Sequence, residues 1–166
     1  DHQFVPLEDD DSTESTNSNH GNEFEKLSET NIEVHRHRTA LVRYGFSSPM
    51  QSLMRFGFLD GKYSVFDYGC GRGDDLRGLI ENNIEAQGWD PHFAADHPKI
   101  ESDIVNLGFV LNVIEDFKDR VEAMQGAYSL ARGLLVISVI LENNNSSLGK
   151  TFRDGIITKK ETFQKY

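Results

Sequence analysis

Short β-prone runs alternate along the chain with segments in which apolar side chains recur at helical spacing. The helical segments follow a glycine-rich turn at 69–73 and an acidic pair at 115–116. Strands that alternate with helices predict an α/β domain whose mostly parallel, Rossmann-like sheet is flanked by helices. The β-prone runs occupy 64–68, 84–89, 103–110 and 134–141.

Two short helices are predicted ahead of this domain, within a helical segment at 31–60. The first is a basic helix at 34–44, and the second begins with Ser48 as its N-cap. Residues 61–166 are then expected to form the Rossmann-like domain, in which only a loop at 143–147 is assigned after the last strand.

The polar stretch between Asp90 and Asp103 is too short for a complete strand-and-helix unit. We therefore expect a regular strand to be missing or reduced there.

Ligands in such sheets bind beyond the carboxyl ends of the strands, and the turn after the first strand is the usual place. Three glycines lie there, and glycine lets the backbone turn sharply and approach a ligand. Asp90 follows Gly69 at close to the spacing of about 20 residues at which an acid meets ribose hydroxyls. Together these features predict a nucleoside-like ligand, whereas the glycines alone are also typical of a plain turn.

The details of the turn argue against a dinucleotide. The fingerprint G-x-G-x-x-G is not met, because the third glycine is Gly73 and Asp74 follows it. Asp74 and Asp75 would lie on the first helical turn and repel a pyrophosphate bound there. S-adenosylmethionine has no phosphate and therefore tolerates acidic groups at this position.

The sequence VFDYGCGRG at 65–73 is a hydrophobic pair, an acid and then x-G-x-G-x-G. On this motif the chain resembles class I S-adenosylmethionine-dependent methyltransferases. A narrower set of segments consists of HRTAL at 37–41, FDYGCGRGDD at 66–75, GWDP at 88–91, VNLGFVLNVIED at 105–116 and TFQKY at 162–166. These resemble the N-terminal part of the methyltransferase family associated with DNA phosphorothioation. Members of that family are longer, so the domain is expected to be incomplete at its C-terminus and this fragment inactive alone.

The resemblance also implies the residues that hold the cofactor. Asp67 and Gly69 would lie near the methionine moiety, and Asp90 would accept hydrogen bonds from the ribose. Trp89 and Pro91 would touch the adenine, although a Trp at a strand end also packs well into a core. Glu101 and Asp96 are the candidates for binding the adenine amino group. The cofactor-binding set is Asp67, Gly69, Cys70, Gly71, Gly73 and Asp90.

Candidates on the acceptor side are Asn106, Phe109 and Asn112, and no residue is assigned as catalytic. Methyltransferases that act on exocyclic amino groups carry Asn/Asp-Pro-Pro-aromatic where this chain has NLGF at 106–109, without either proline. Asn106 and Phe109 would hold and stack a base. Alternatively, Asn106 and Asn112 bond the backbone at the strand end. Cys70 lies in the cofactor turn, which argues against methylation of cytosine C5.

Charge is concentrated at one end of the chain. The formal net charge is −10, from 27 acidic and 17 basic residues, and nine of the acids lie in residues 1–30. We interpret 1–30 as a disordered acidic tail, with an acidic partner-binding arm as the alternative. A single cysteine permits no intramolecular disulfide, and no apolar stretch is long enough for a bilayer span. A cytoplasmic protein with no membrane contact is expected.

The basic stretch at 35–43 has two interpretations, a solvated helix face or a contact with nucleic-acid phosphate. His35 and His37 have no Cys or acidic partner at metal-ligand spacing, so no metal site is expected.

Two functions follow from these observations. The first is a methyltransferase whose acceptor is DNA or a component of a DNA-modification system. The second is a non-catalytic S-adenosylmethionine-binding sensor or scaffold. Replacing Asp90 by alanine is expected to weaken cofactor binding and to leave the fold stable, because a strand-end carboxylate that faces solvent contributes little to stability.

Overall fold

The computed structural model describes residues 33–40, 42–141 and 149–166, and Glu33–Tyr166 form one compact unit. The expected tail at 1–30 and the expected loop at 143–147 lie outside the described residues. Within the described ranges, none of the helices combines the length and the apolar character that a membrane span requires.

Four strands form a parallel sheet: β1 (Val65–Tyr68), β2 (Ala86–Trp89), β3 (Ser102–Gly108) and β4 (Ala131–Ser138). Their order is β2-β1-β3-β4, and every neighbouring pair is parallel. The chain therefore leaves β1 toward one edge and then returns to the other side of β1. This confirms the α/β class with a parallel sheet, and the topology is compatible with a Rossmann-like arrangement.

Three α-helices flank the sheet: α1 (Ser48–Arg55), α2 (Asp74–Glu81) and α3 (Phe117–Leu130). All three were predicted near these positions. Asp116 caps α3, since its carboxylate accepts from Lys118 N at 2.8 Å. The N-cap of α1 is Ser47 and not the expected Ser48, and Pro49 lies in the first turn, where a proline is tolerated.

The expected basic helix at 34–44 is wrong, because the described part of that segment holds only a 3₁₀ turn, Arg36–Thr39. Thr39 Oγ1 donates to Arg36 O at 2.6 Å within this turn. The arginine side chains bind acidic groups on distant elements instead of covering a helix face. Tertiary ion pairs thus override a weak local helical tendency.

Strand boundaries also differ from the predicted ones. β2 starts at Ala86 and not at Ile84, because Ile84 N donates to Leu79 O and closes the end of α2, with Asn83 at φ +59°. β3 stops at Gly108 because Phe109 adopts φ +61°. β4 begins at Ala131, directly after α3, and ends before the predicted 139–141. No strand occurs in residues 90–101, as expected, and only an isolated bridge pairs Asp90 with Ala94.

Apolar side chains pack on both faces of the sheet. Alternation along each strand sends neighbouring residues to opposite faces, so β1 and β3 contribute to two separate clusters. One cluster includes Phe66, Val105, Leu107, Ala123 and Ala127, under α3. The other includes Met50, Leu53, Val65, Leu79 and Ile104, under α1 and α2. This three-layer arrangement holds the carboxyl ends of β1, β2 and β3 in fixed positions.

A second, antiparallel sheet was not predicted. It consists of β5 (Gly149–Phe152), β6 (Gly155–Thr158) and β7 (Phe163–Gln164) in that order. The β5–β6 turn is Arg153-Asp154, with Arg153 at φ +50°, and the Asp-Gly pair of the sequence lies one position later, because Gly155 already pairs with Phe152. Lys165 N donates to Asn112 O at 2.8 Å, which fixes this sheet to the β3–α3 loop.

Candidate functional site

The glycine turn between β1 and α2 depends on backbone conformations that favour glycine. Gly69, Gly71 and Gly73 have φ values of +85°, +54° and +75°. A Cβ on Gly69 would overlap Cγ2 of Val110, and one on Gly71 would lie 3.3 Å from Ala40 Cβ. Each glycine is therefore needed for the path of the turn, and the first two also for close packing.

Asp90, at the end of β2, faces this turn. Its Oδ2 accepts from Gly71 N at 3.1 Å, and its Oδ1 accepts from His92 N at 2.9 Å and from Phe93 N at 3.0 Å. The carboxylate thus fastens the glycine turn to the loop after β2. Asp90 is half-buried and accepts three backbone hydrogen bonds, and we therefore expect it to contribute more to stability than a strand-end carboxylate that faces solvent.

A cavity of about 540 Å³ opens beside the turn, at the carboxyl ends of β1, β2 and β3. This size lies within the range of roughly 300–1,000 Å³ that is typical of small-molecule sites. The sheet order reverses between β1 and β3, which is where ligands bind in open α/β sheets. Of the predicted site residues, the cavity is lined by Gly69, Cys70, Gly71, Asp90 and Phe109.

Asp67 and Asn106 lie beneath the cavity and do not line it. Both are buried, and Asn106 Nδ2 donates to Asp67 Oδ1 at 2.8 Å. Burial raises the pKa of Asp67 to about 7, although the hydrogen bond from Asn106 opposes that rise. Asn106 Oδ1 is buried without a hydrogen-bond partner among the described residues. The pair is thus a costly polar contact directly under the glycine turn.

Replacing Asp67 by asparagine should remove a pH dependence of stability. The folded chain holds a proton on Asp67 up to about pH 7, whereas an unfolded Asp loses it near pH 3.9. Stability from this group is therefore lost as the pH rises from about 4 through 7. Urea denaturation measures the unfolding free energy of both chains at pH 5.5 and pH 8. The difference in favour of Asp67→Asn should be about 2 kcal/mol larger at pH 8 than at pH 5.5.

The matched control is Asp96→Asn, at an exposed carboxylate in the loop after β2. The unfolding free energy of Asp96→Asn should equal that of the parent chain at both pH values. A gain for Asp67→Asn that is the same at pH 5.5 and pH 8 would contradict the raised pKa.

Asn112 serves to join chain segments. Its Nδ2 donates to Ile140 O at 3.0 Å and to Lys165 O, and its Oδ1 accepts from Ile140 N at 2.8 Å. The side chain is buried and does not line the cavity. Among the acceptor-side candidates, Phe109 alone borders the cavity. Its left-handed backbone, unusual for a bulky residue, is the kind of strain found at functional sites.

Cys70 lines the cavity, and its side chain approaches β2, since a Cβ added to Gly88 would lie 3.0 Å from Cys70 Cβ. Burial, followed by the charges of Asp67 and Asp90, raises the pKa of Cys70 to about 12. The thiol is therefore protonated and a poor nucleophile near neutral pH. Gly73, the last of the three glycines, precedes α2 and does not line this cavity.

Residues 35–40, which we call the strap, cover part of the cavity. Arg36 donates to both carboxylate oxygens of Glu115, at 2.7 and 2.9 Å, and to Asp119 at 2.9 Å. The hydrogen bond to Glu115 raises the pKa of Arg36. At the far end, Arg38 donates to Glu161 at 2.7 Å. The sequence contained these basic residues but no signal of which acids they would meet.

Trp89 lines the cavity with Tyr68 and Lys99. Lys99 Nζ lies 3.6 Å from the centre of the Trp89 ring and donates to Tyr68 Oη at 3.2 Å. One face of the indole is thus already covered by an ammonium group. Pro91 also borders the cavity, whereas Glu101 and Asp96 do not. Glu122 of α3 does, and no sequence motif singled it out.

His35 and His37 lie in the strap, and His37 stacks on His92 with ring centres 4.2 Å apart. In the part of the chain that the structure describes, no group of three His, Cys, Asp or Glu residues is arranged to hold a metal ion.

Comparisons of the sequence with models of known protein families and with curated proteins found no match.

Proposed function

We propose that the cavity binds S-adenosylmethionine and that the chain is a class I methyltransferase. One observation carries the proposal. Three left-handed glycines turn the chain beside the cavity, and Asp90, at the end of the neighbouring strand, is bonded across the turn to Gly71. This pairing of a glycine turn with a strand-end acid at a reversal of strand order is typical of nucleoside-cofactor sites.

The N-terminus of α2 favours a cofactor without phosphate. Asp74 Oδ2 accepts from Arg43 N at 2.6 Å, and Asp75 Oδ1 accepts from Ser47 N at 2.7 Å. These carboxylates hold the segment before α1 against the start of α2, where a dinucleotide would place its pyrophosphate. They would repel that group and do not repel a sulfonium or an ammonium.

When bound, the cofactor supplies an electrophilic methyl group on a sulfonium centre. The chain itself has to position the reactants and exclude water. Asp90 has one oxygen, Oδ2, with a single backbone partner, so this oxygen can accept from a ribose hydroxyl. Gly69 and Gly71 border the cavity without side chains, and Phe109 gives an aromatic surface on the acceptor side. The proposed acceptor is DNA or a component of a DNA-modification system.

Calorimetric titration of the chain with S-adenosylmethionine, S-adenosylhomocysteine and NADH tests the ligand class. We expect the first two to bind and NADH to give no heat, because its pyrophosphate would face Asp74 and Asp75. Preferential binding of NADH, or binding of none of the three, would overturn the proposal.

A non-catalytic sensor or scaffold is the second candidate. It is favoured by the acceptor side, where the amides of Asn106 and Asn112 are bound to other protein groups and do not line the cavity. Incubation of the full-length protein with cofactor labelled in its methyl group, and with nucleic acids, proteins and metabolites as acceptors, separates the two. Cofactor binding without transfer to any acceptor would support the sensor.

A further inference from the structure

The charged groups around the cavity differ in whether the protein itself already binds them. Every carboxylate that lines the cavity accepts a hydrogen bond or an ion pair from a described residue. Asp90 accepts three backbone N–H groups, and Arg36 pairs with Asp119 at 2.9 Å. The other three, Asp74, Asp75 and Glu122, contact Arg77, Ser47 and Lys118. The carboxylates that line the cavity are therefore all engaged by groups of the protein.

Three cationic or protonatable groups at the mouth of the cavity, in contrast, have no carboxylate partner among the described residues. Within the described ranges, Arg72, His37 and His92 have no carboxylate within 4.0 Å. His37 stacks on His92, whose ring meets the ring of Phe93 edge-on at 4.7 Å. The guanidinium of Arg72 lies 4.8 Å from the centre of that same Phe93 ring. Stacking contacts thus hold the three groups in one cluster, which lines the cavity.

We propose that Arg72, His37 and His92 form a binding site for a phosphate group at the mouth of the cavity. A phosphate ester has up to two negative charges and three acceptor oxygens, which suits three separate donors better than a carboxylate does. The site joins the glycine turn, the loop after β2 and the strap, and none of its three groups pairs with Asp74 or Asp75. The phosphate would belong to a ligand other than the phosphate-free cofactor. That this phosphate belongs to the methyl acceptor rests on the proposed function, whereas phosphate binding itself does not.

Binding should strengthen at low pH. Partial burial, followed by the neighbouring charges of His92, His35, Arg38 and Arg72, lowers the pKa of His37. A bound anion favours the protonated ring and opposes this effect. The carboxylates nearest the cluster are already engaged, Asp90 by backbone N–H groups and Glu161 by His35 and Arg38. We therefore expect affinity for an anion to rise from pH 8 to pH 5.5.

Fluorescence of Trp89, the chain's single tryptophan and a lining residue of the same cavity, gives the readout. The probes are ribose 5-phosphate, an eight-nucleotide oligothymidylate, neutral ribose and the dicarboxylate glutarate. Sulfate serves for the pH series because it stays a dianion throughout. Arg72→Gln should lower the affinity for a phosphate probe by about tenfold or more. Replacing both histidines by phenylalanine keeps the stack and should abolish the pH dependence.

Arg55→Gln is the matched control, since Arg55 also lies over a phenylalanine ring but does not line the cavity. Binding of ribose 5-phosphate supports the site with a small ester as its ligand, and binding of the oligonucleotide alone supports it with a nucleic-acid strand. No binding of either, equal binding of glutarate, or equal losses in Arg72→Gln and Arg55→Gln would overturn it. If phosphate binds normally while S-adenosylmethionine does not, the proposed function fails and the phosphate site stands.

Discussion

Replacing Gly69 by alanine should destabilise the chain by roughly 2–5 kcal/mol and abolish binding in the cavity. Two costs add. A residue with a Cβ at φ +85° loses about 1–2 kcal/mol, and a methyl group forced against Val110 costs roughly 1–3 kcal/mol. Because Gly69 lines the cavity, any shift that relieves the overlap also displaces the turn. Urea denaturation measures the stability, and titration with S-adenosylmethionine measures the binding.

Gly45→Ala is the control for this substitution. A Cβ there meets nothing within 4 Å, and the backbone is outside the left-handed region, so little change is expected. Adding Val110→Ala to Gly69→Ala removes the overlap and leaves the backbone cost. The double variant should therefore lose less unfolding free energy than the two single variants lose in sum. If Gly69→Ala is as mild as Gly45→Ala, the close approach of the turn to Val110 is wrong.

Replacing Asp90 by alanine should weaken S-adenosylmethionine binding by roughly tenfold to a hundredfold, which corresponds to about 1.5–3 kcal/mol. Unlike the expectation from sequence, it should also lower the unfolding free energy by about 1–3 kcal/mol, because Gly71, His92 and Phe93 lose their acceptor. Calorimetry and urea denaturation on the same preparation separate the two effects.

Asp96→Ala gives the comparison for Asp90, since Asp96 is an exposed carboxylate in the loop after β2 and does not line the cavity. Asp96→Ala should leave both the affinity for S-adenosylmethionine and the unfolding free energy unchanged. If Asp90→Ala binds S-adenosylmethionine as tightly as the parent chain, Asp90 does not bind the ribose hydroxyls. Unchanged stability would show that water replaces the carboxylate at all three N–H groups.

The sequence was sufficient for the parallel sheet and the glycine turn because both depend on local pattern. Val65 to Tyr68 form a continuous buried run, and the glycines after them are the residues that left-handed backbone requires. The relation between Asp90 and Gly71 followed from spacing, since parallel neighbours end at the same edge of the sheet. Which atoms Asp90 would bind did not follow, because its partners are backbone N–H groups of two loops.

Long-range pairing explains what the sequence did not predict. Arg36 and Glu115 are 79 positions apart, and nothing in either neighbourhood indicates the other. The same holds for Asn112, for which the sequence left an acceptor pocket and backbone bonding both open, and whose amide donates to the backbone carbonyls of Ile140 and Lys165. The β5–β6 hairpin was missed although Asp154-Gly155 is a local hairpin signal in the sequence.

The strap also has a consequence for the order of folding. Its far anchor joins Arg38 to Glu161 across 123 positions, and His35 N donates to Glu161 O at 3.0 Å. Contacts of such long sequence separation form slowly, because a long loop must close first. On a ribosome, β1, the glycine turn and Asp90 emerge well before Glu161 does. We therefore expect the glycine turn and Asp90 to be in place while the strap is held only by Arg36, through Glu115 and Asp119. A ligand present in the cell can then enter the cavity before the Arg38–Glu161 anchor forms.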